Sequence, residues 1–396
     1  NGGGKIGDIL YDIEENFDFR NPSKHVSKLL EAFQKIELLE DEHWRNLKKK
    51  QILEIIEACA GLYLEASAES NKGTPNSNIK VDFEVLNRSD VRMTLASITS
   101  KTDNKVFIKQ QTINNNQKFN FTETINLSVD GYSDPYWLRK TPTLGMYTVD
   151  DPLLIGKPET PSPAKIDFNI IIGNIPITIT KNIVRKYAES DKGEIYEPFE
   201  ILPLITTKLE DKVFIFANEN EKKIPVTIKA GANFTSGKVA LKIPENWLVS
   251  PSEIMFNIEQ KNDEETVEFM VSPPKEASVG KMEVVATYNG KEYTKELVEI
   301  NYSHIPKQTV LLNSEAKVVR LNIKKAGDKI GYIKGAGDAV PESLRQIGYT
   351  VDEINPGDIN EDILKNYDAI VLGIRAYNVV KELKFKQKYL LEYVEK

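Results

Sequence analysis

Val239-Ala240-Leu241-Lys242-Ile243, Ile254-Met255-Phe256-Asn257-Ile258 and Val267-Glu268-Phe269-Met270-Val271 each set large apolar residues at every second position. A period of two puts each apolar set on one face of an extended strand. Turn residues separate them: Pro244-Glu245-Asn246, then Pro273-Pro274, then Asn289-Gly290. Short alternating strands broken at this spacing predict a β-sandwich over residues 206–303. The class that follows is a multidomain, mainly β protein.

Upstream the same period recurs. Ile79, Val81, Phe83 and Val85 alternate with polar residues, as do Ile166, Phe168, Ile170 and Ile172. Between them runs an irregular stretch from Tyr132-Ser133-Asp134-Pro135-Tyr136-Trp137-Leu138-Arg139 to Thr148-Val149-Asp150-Asp151-Pro152. Residues 76–205 therefore read as an Ig-like sandwich with one long inserted loop. Before it, the period changes to that of a helix. Val26, Leu29, Leu30, Phe33 and Ile36 form one stripe, with Asn21 as cap and Pro22 in the first turn. Trp44, Leu47, Ile52, Ile55, Ile56, Cys59, Leu62 and Tyr63 form the next. A polar joint at Glu40-Asp41 between the two predicts a helical hairpin within residues 5–72.

Downstream, residues 307–396 read as an α/β segment of glutamine-amidotransferase-like or flavodoxin-like type. Lys329-Ile330-Gly331-Tyr332-Ile333, residues 350–354 and Asp368-Ala369-Ile370-Val371-Leu372-Gly373 have the composition of buried parallel strands. Helices are predicted over 341–347, 359–365 and 383–395. In a doubly wound sheet the last of these leads into another strand, so the segment is expected to be part of a larger domain.

Composition narrows the function classes. The 396 residues carry 52 basic and 59 acidic side chains, a net charge of −7. An acidic surface repels phosphate backbones, which makes nucleic acid a poor partner. One cysteine and three histidines exclude a disulfide framework, a cysteine-based zinc site and an iron–sulfur cluster. No stretch has the ~20 apolar residues that a membrane span needs. The first residues, Asn1-Gly2-Gly3-Gly4, have neither an initiating Met nor a signal segment, so the chain is expected to start inside a longer reading frame.

Four stretches together carry a resemblance: the Asn21-Pro22 helical pair, Ser133-Asp134-Pro135-Tyr136-Trp137-Leu138, Lys192-Gly193-Glu194-Ile195-Tyr196-Glu197-Pro198 and Gly373-Ile374-Arg375-Ala376-Tyr377-Asn378. They resemble the region that follows the catalytic domain in large bacterial PIG-L/LmbE-family proteins. The second sandwich, with Pro244-Glu245-Asn246-Trp247, is similar to the sandwich found beside sugar-processing enzymes. The final segment also looks like the ThuA-like α/β fold. The resemblance implies zinc-dependent removal of an acetyl group from N-acetylglucosamine-type sugars, carried out by a His-Pro-Asp-Asp segment and a His-rich helix. Neither motif occurs here. His25, His43 and His304 stand apart in the sequence, so no catalytic or metal-ligating residue carries over. Zinc, on this reading, belongs to an upstream catalytic domain, and these residues hold no cofactor.

Two candidate sites remain. Gly335, Gly337 and Asp338 follow a predicted strand, and Arg375 follows another, where α/β sheets take ligands. The glycine spacing lacks the third glycine of a dinucleotide loop, and the alternative is a tight turn that needs glycine for backbone reasons. Tyr132, Tyr136, Trp137 and Tyr147 cluster in the long loop, where aromatic faces stack on sugar rings or pack a joint; Tyr136, Trp137 and Tyr147 are the candidate sugar-stacking residues. Cys59, on an apolar helical stripe, is a packing residue rather than an amidotransferase nucleophile.

Three readings follow. The chain is an accessory, non-catalytic region of a sugar de-N-acetylase, with an upstream catalytic domain and glycans as partners. Alternatively it is a free-standing carbohydrate-binding or adhesion-like protein. The third is an α/β enzyme completed by residues beyond its C-terminus. Export to the periplasm or cell surface is expected for such sandwich modules; oligomeric state is not specified.

Overall fold

A computed structural model describes residues 2–395. The chain divides into two compact units, Asn1–Leu204 with Glu299–Val310 and Ile205–Val298 with Leu311–Lys396.

The first unit opens with three helices, α1 (Gly3–Glu15), α2 (Val26–Glu37) and α3 (Glu42–Cys59), one more than the hairpin pattern predicts. α2 buries Val26, Leu29, Leu30, Phe33 and Ile36, the predicted stripe. Asn21 does not cap it. A single 3-10 turn, Pro22–His25, intervenes, and the Asn21 carboxamide oxygen instead accepts the Ser23 hydroxyl at 2.8 Å. Asp41 caps α3 by accepting the Trp44 N–H at 3.0 Å. The predicted stripe on α3 splits in two. Ile52, Ile56 and Cys59 are buried, while Trp44, Leu47 and Ile55 lie on a second stripe that faces water. Leu62 and Tyr63 are not helical. Gly61 adopts φ +61°, a left-handed turn that ends the helix, and the chain enters the strand Leu62–Ala68.

That strand sits in a five-stranded sheet, in the order Gly193–Pro198, Val184–Glu189, Leu62–Ala68, Asn78–Asn87 and Phe119–Asn126. A four-stranded sheet runs Val106–Ile113, Met93–Ser100, Lys165–Ile172 and Ile175–Asn182. The alternation read from the sequence is realised as burial. Val81, Phe83 and Val85 of one sheet, and Ile166, Phe168, Ile170 and Ile172 of the other, are all buried. Phe83 meets Phe168 edge-on across the gap, with ring centroids 6.0 Å apart. The buried residues of α1, α2 and α3 belong to this same cluster, so helices and sheets share one core.

In the second unit a four-stranded sheet runs Ile205–Leu209, Lys222–Ala230, Glu264–Ser272 and Leu248–Ser250. A six-stranded sheet contains Val213–Phe216, Glu315–Arg320, Ser278–Tyr288, Thr235–Lys242 and Ile254–Ile258, with Lys291–Tyr293 added beside Ser278–Tyr288. Trp247 is buried against Phe216 at 5.0 Å, and its Nε1–H donates to Ser278 Oγ at 3.1 Å. The strand Glu315–Arg320 corrects the predicted start of the α/β segment at residue 307. It pairs with Val213–Phe216, about a hundred residues earlier, and so completes the sandwich.

The rest of the unit is a three-stranded parallel sheet. Lys329–Ile333 is central, flanked by Thr350–Glu353 and Ala369–Leu372. Ile330, Tyr332 and Val351 pack on one face with Leu344 from α4 (Val340–Gln346). On the other, Ile333, Ile354 and Ile359 pack with Leu364 of α5 (Glu361–Leu364), Ala376 of α6 (Ala376–Val379), and Leu383 and Leu390 of α7 (Leu383–Glu395). Gly331 is required in the central strand, because a Cβ there would stand 2.5 Å from Ile354 Cδ1 and 2.8 Å from Ile370 Cδ1.

Helix α4 also joins this sheet to the sandwich. The Gln346 side chain accepts the Ile215 N–H at 2.8 Å and donates to Asp211 Oδ2 at 3.1 Å. Lys222 Nζ donates to the Ile215 and Gln346 carbonyls at 2.6 and 2.7 Å. Burial pushes the Lys222 ammonium below its ordinary value.

Phe168→Ala removes a fully buried ring and is expected to destabilise the first unit by about 3–5 kcal/mol, measured as a lower urea midpoint. Gln346→Ala strands the Ile215 N–H at a cost of about 1–3 kcal/mol. Hydrogen exchange checks it: the Ile215 amide should lose protection while the Phe83 amide keeps it.

Candidate functional site

The first unit contains a cleft of about 540 Å³ beside the short parallel pair Lys72–Gly73 and Glu200–Ile201. Glycine is needed at 73, since a Cβ would lie 2.4 Å from Leu127 Cδ1 and 2.9 Å from the Phe199 ring. The long loop forms one wall, and hydrogen bonds fix it in place. Ser133 N–H donates to the Ile201 carbonyl at 2.7 Å, and Ser133 Oγ accepts the Ile201 N–H at 2.9 Å. Thr160 Oγ1 accepts the Tyr136 N–H at 2.9 Å and donates to the Asp134 carbonyl at 2.7 Å. Arg139 Nε pairs with Asp134 at 3.0 Å.

The three predicted sugar-stacking aromatics do not act together. Tyr136 is buried, and its hydroxyl donates to the Lys157 carbonyl at 3.1 Å, so it staples the loop. Trp137 stands edge-on to Tyr136 at 4.8 Å, is half-buried, and lines the cleft. Tyr147 is 58% exposed and lies outside the cleft lining. Tyr132, which the sequence groups with these aromatics, also lines the cleft; sequence reading missed the polar lining, Arg139, Glu200, Lys307 and Thr309. Glu200 and Thr309 are distant in sequence and meet only through the fold.

Two carboxyl groups at this end of the unit are shifted in opposite directions. Burial raises Glu200 above the ordinary carboxylate range, against the opposing Thr309 hydroxyl, which donates to it at 2.6 Å, and the charge of Lys72. Glu299 is also pushed up by burial, but Lys307 at 2.7 Å and Lys72 at 2.6 Å outweigh that and hold it at about 2. An indole face, a phenol, a guanidinium, an ammonium and a carboxyl line one cleft, a mix of apolar face and hydrogen-bonding groups that suits a hydroxyl-rich ligand.

The second predicted locus lies at the carboxyl ends of the parallel strands. The fold brings Gly335, Asp338 and Arg375 to one corner. Asp338 accepts the Tyr332 hydroxyl at 2.6 Å, the Ile374 N–H at 2.9 Å and the Val340 N–H at 3.0 Å. These bonds hold its carboxyl below the ordinary range. A Cβ at Gly335 would stand 2.1 Å from the Ile374 carbonyl oxygen, so that glycine serves close packing of two loops. Gly337 has φ +108° with open space around it.

The histidines hold separate places. His25 is buried, stacks on Phe17 and accepts the Asp18 N–H at 3.1 Å; His43 packs on Trp44, and His304 on Tyr302. Among the described residues no group of three or more His, Cys, Asp or Glu is placed to hold a metal ion. Cys59 is buried, and burial raises its thiol pKa.

No protein-family model matches the chain, and no curated protein matches it. Among solved structures, a Salmonella alpha-2-macroglobulin variant is similar at 8% identity and TM-score 0.23, over 65% of this chain and 16% of that one. Red sea bream transglutaminase is similar at 10% identity and TM-score 0.27, over 66% and 33%. A Porphyromonas gingivalis protein of unknown function is similar at 9% identity and TM-score 0.15, over 65% and 99%. The chain thus spans a third or less of the first two. At these scores none of them carries an argument about this chain.

Acid titration tests the paired carboxyls. A depressed carboxylate contributes stability above its unfolded value of 4.5 and loses it as pH falls toward about 2. Glu299→Gln should therefore flatten the fall of melting temperature below that value. Glu200 has the opposite sign: its proton is favoured in the folded state, so stability declines as pH rises past the unfolded value. Glu200→Gln keeps an acceptor for Thr309 and should melt no lower than the parent protein at neutral pH.

Proposed function

We propose that this chain is a non-catalytic accessory region of a PIG-L/LmbE-like sugar de-N-acetylase that contacts glycan through the cleft of its first unit. The observation behind this reading is the half-buried Trp137 face, which lines a cleft alongside Tyr132, Arg139 and Glu200. A sugar ring stacks its apolar C–H face on an indole, while its hydroxyls exchange hydrogen bonds with charged groups at the rim. The catalytic zinc and its ligands belong, on this reading, to a separate domain, and the two sandwiches present substrate to it. Both are read as Ig-like. The central position of Lys329–Ile333, with its sequence-later partners on either side, supports a flavodoxin-like arrangement of the last segment. Export to the periplasm or cell surface belongs to the same proposal.

Titration calorimetry with N-acetylglucosamine oligosaccharides tests the cleft, with glucosamine oligosaccharides as the control. Trp137→Ala should weaken binding about tenfold, the equivalent of about 1.4 kcal/mol. Unchanged affinity in that variant, or no binding of any acetylated glycan, overturns the glycan reading. The chain supplied with zinc should release no acetate from these oligosaccharides, and release of acetate overturns the accessory reading.

A further inference from the structure

One edge of the four-stranded sheet in the first unit is left open along its main chain. Ile175–Asn182 ends that sheet and pairs with Lys165–Ile172 alone. Outside that ladder, no hydrogen bond reaches its main chain among the described residues. The outward N–H and C=O groups of such an edge can receive a further strand. Proline blocks an edge because it has no N–H to offer, and Pro176 does so near the start of this one. Residues 178–182 have no such block.

Their side chains do not shield the edge either. Thr178 Oγ1 donates to Asn169 Oδ1 at 2.9 Å and Thr180 Oγ1 to Asp167 Oδ1 at 2.6 Å, so both hydroxyls are turned toward the neighbouring strand. A lysine often guards an edge with its charge, but Lys181 is tied to Glu57 of α3 at 2.5 Å.

Helix α3 forms the facing wall. Between it and residues 178–182 lies a groove of about 880 Å³. From the helix, Asn46, Lys49, Lys50, Leu53, Glu54 and Glu57 line it. At 100° per residue these six fall on one face. That face is distinct from the buried stripe of Ile52, Ile56 and Cys59, and from the water-facing stripe of Trp44, Leu47 and Ile55. An extended chain between a sheet edge and a helix takes main-chain hydrogen bonds from the edge and sets alternate side chains against the helix. Five residues of edge span about 17 Å.

Charge narrows the occupant. Lys49, Lys50, Lys165 and Lys181 line the groove against Glu54 and Glu57, and Glu37 outside it answers Lys49 at 2.6 Å. Lys165 enters no ion pair among the described residues, and Lys50 reaches Glu54 only at 4.0 Å. Two ammonium groups are thus open to new carboxylates, while Leu53 offers an apolar contact.

We propose that this groove binds an extended acidic peptide segment of another protein, which adds as a strand to Ile175–Asn182 and sets its carboxylates on Lys165 and Lys50. The inference stands apart from the glycan reading, although Pro161, Ser162 and Asn182 line both the groove and the cleft.

Fluorescence anisotropy of the full chain tests it, with a labelled, end-capped octapeptide of alternating valine and glutamate as the probe. One control copy carries N-methylated valines, which keeps the charge and removes main-chain donors; a second has lysine in place of glutamate. The glutamate peptide should bind, and both controls should bind at least tenfold more weakly. On binding, amides within residues 178–182 should gain protection from hydrogen exchange, while those of the sheet's opposite edge, Val106–Ile113, stay unchanged. Lys165→Glu and Lys50→Glu should each weaken binding about tenfold at an unchanged melting temperature. Trp137→Ala should bind the peptide as the parent protein does, whatever its effect on glycan. Four results overturn the inference: no binding of the glutamate peptide; equal binding of the N-methylated copy, which is adsorption by charge alone; unchanged affinity in both lysine variants; or loss of peptide binding in Trp137→Ala, which places the peptide in the cleft.

Discussion

An alternating strand hides half of its side chains only when something apolar covers that face, and each unit of this chain meets the demand in its own way. In the first unit, the two sheets cover one another through contacts such as Phe83 with Phe168. The strand Leu62–Ala68 turns Leu62, Leu64, Ala66 and Ala68 into the core, while Glu65 on its other face is buried in an ion pair with Lys186 at 3.3 Å. The helices add to that core, since the buried residues of α2 and α3 belong to the same cluster as the strand's apolar face. At roughly 25 cal/mol per Å² of apolar surface removed from water, this shared core is the main favourable term holding helices and sheets together. In the second unit two sheets again form the core, but the six-stranded one is complete only when Glu315–Arg320 is added from beyond the sandwich's expected end. The parallel sheet is covered on both faces by helices, as its continuous apolar strands require.

Polar chemistry is placed where these coverings leave seams. The cleft of the first unit lies beside the short pair Lys72–Gly73 and Glu200–Ile201, where the long loop returns to the sheet. Its charges are ordered rather than merely solvated: Lys72 and Lys307 both hold Glu299, while Glu200 keeps the Thr309 hydroxyl. Ordering one carboxylate with two ammonium groups leaves the other to be governed by burial, so that of two chemically identical side chains one is held below the ordinary carboxylate range and the other raised above it. At the carboxyl ends of the parallel strands the pattern differs. There one carboxylate is spent on fixing two loops, and the exposed group is the guanidinium of Arg375.

Much of the architecture was legible in the sequence because it rests on local periodicity. The strands containing Val81, Phe168, Val239 and Val267 bury most of the residues that the period-two pattern marks, with Ile79 and Ile243 only half-buried. The strand and helix order after residue 329 is local in the same sense. Errors arose where a local pattern had two physical solutions. Leu62 and Tyr63 continue a helical stripe on paper, but Gly61 turns the chain into a strand. Trp44, Leu47 and Ile55 satisfy helical spacing as well as Ile52, Ile56 and Cys59 do, and nothing local says which stripe the core takes. Asn21 has the right chemistry for a cap, yet its carboxamide serves Ser23.

By itself, then, the sequence determined the periods, the mainly β class, the scarcity of metal-binding side chains and the position of the long loop, because each depends on neighbours within a few residues. Only the tertiary structure decided which groups share a site. It left Trp137 on the cleft wall while burying Tyr136 beneath it and keeping Tyr147 out of the lining, brought Thr309 to Glu200 across 109 positions, and set Asp338 against Ile374 across 36. Those pairings depend on strand order and register, and hydrogen bonds between residues distant in the chain leave no period for a sequence to display.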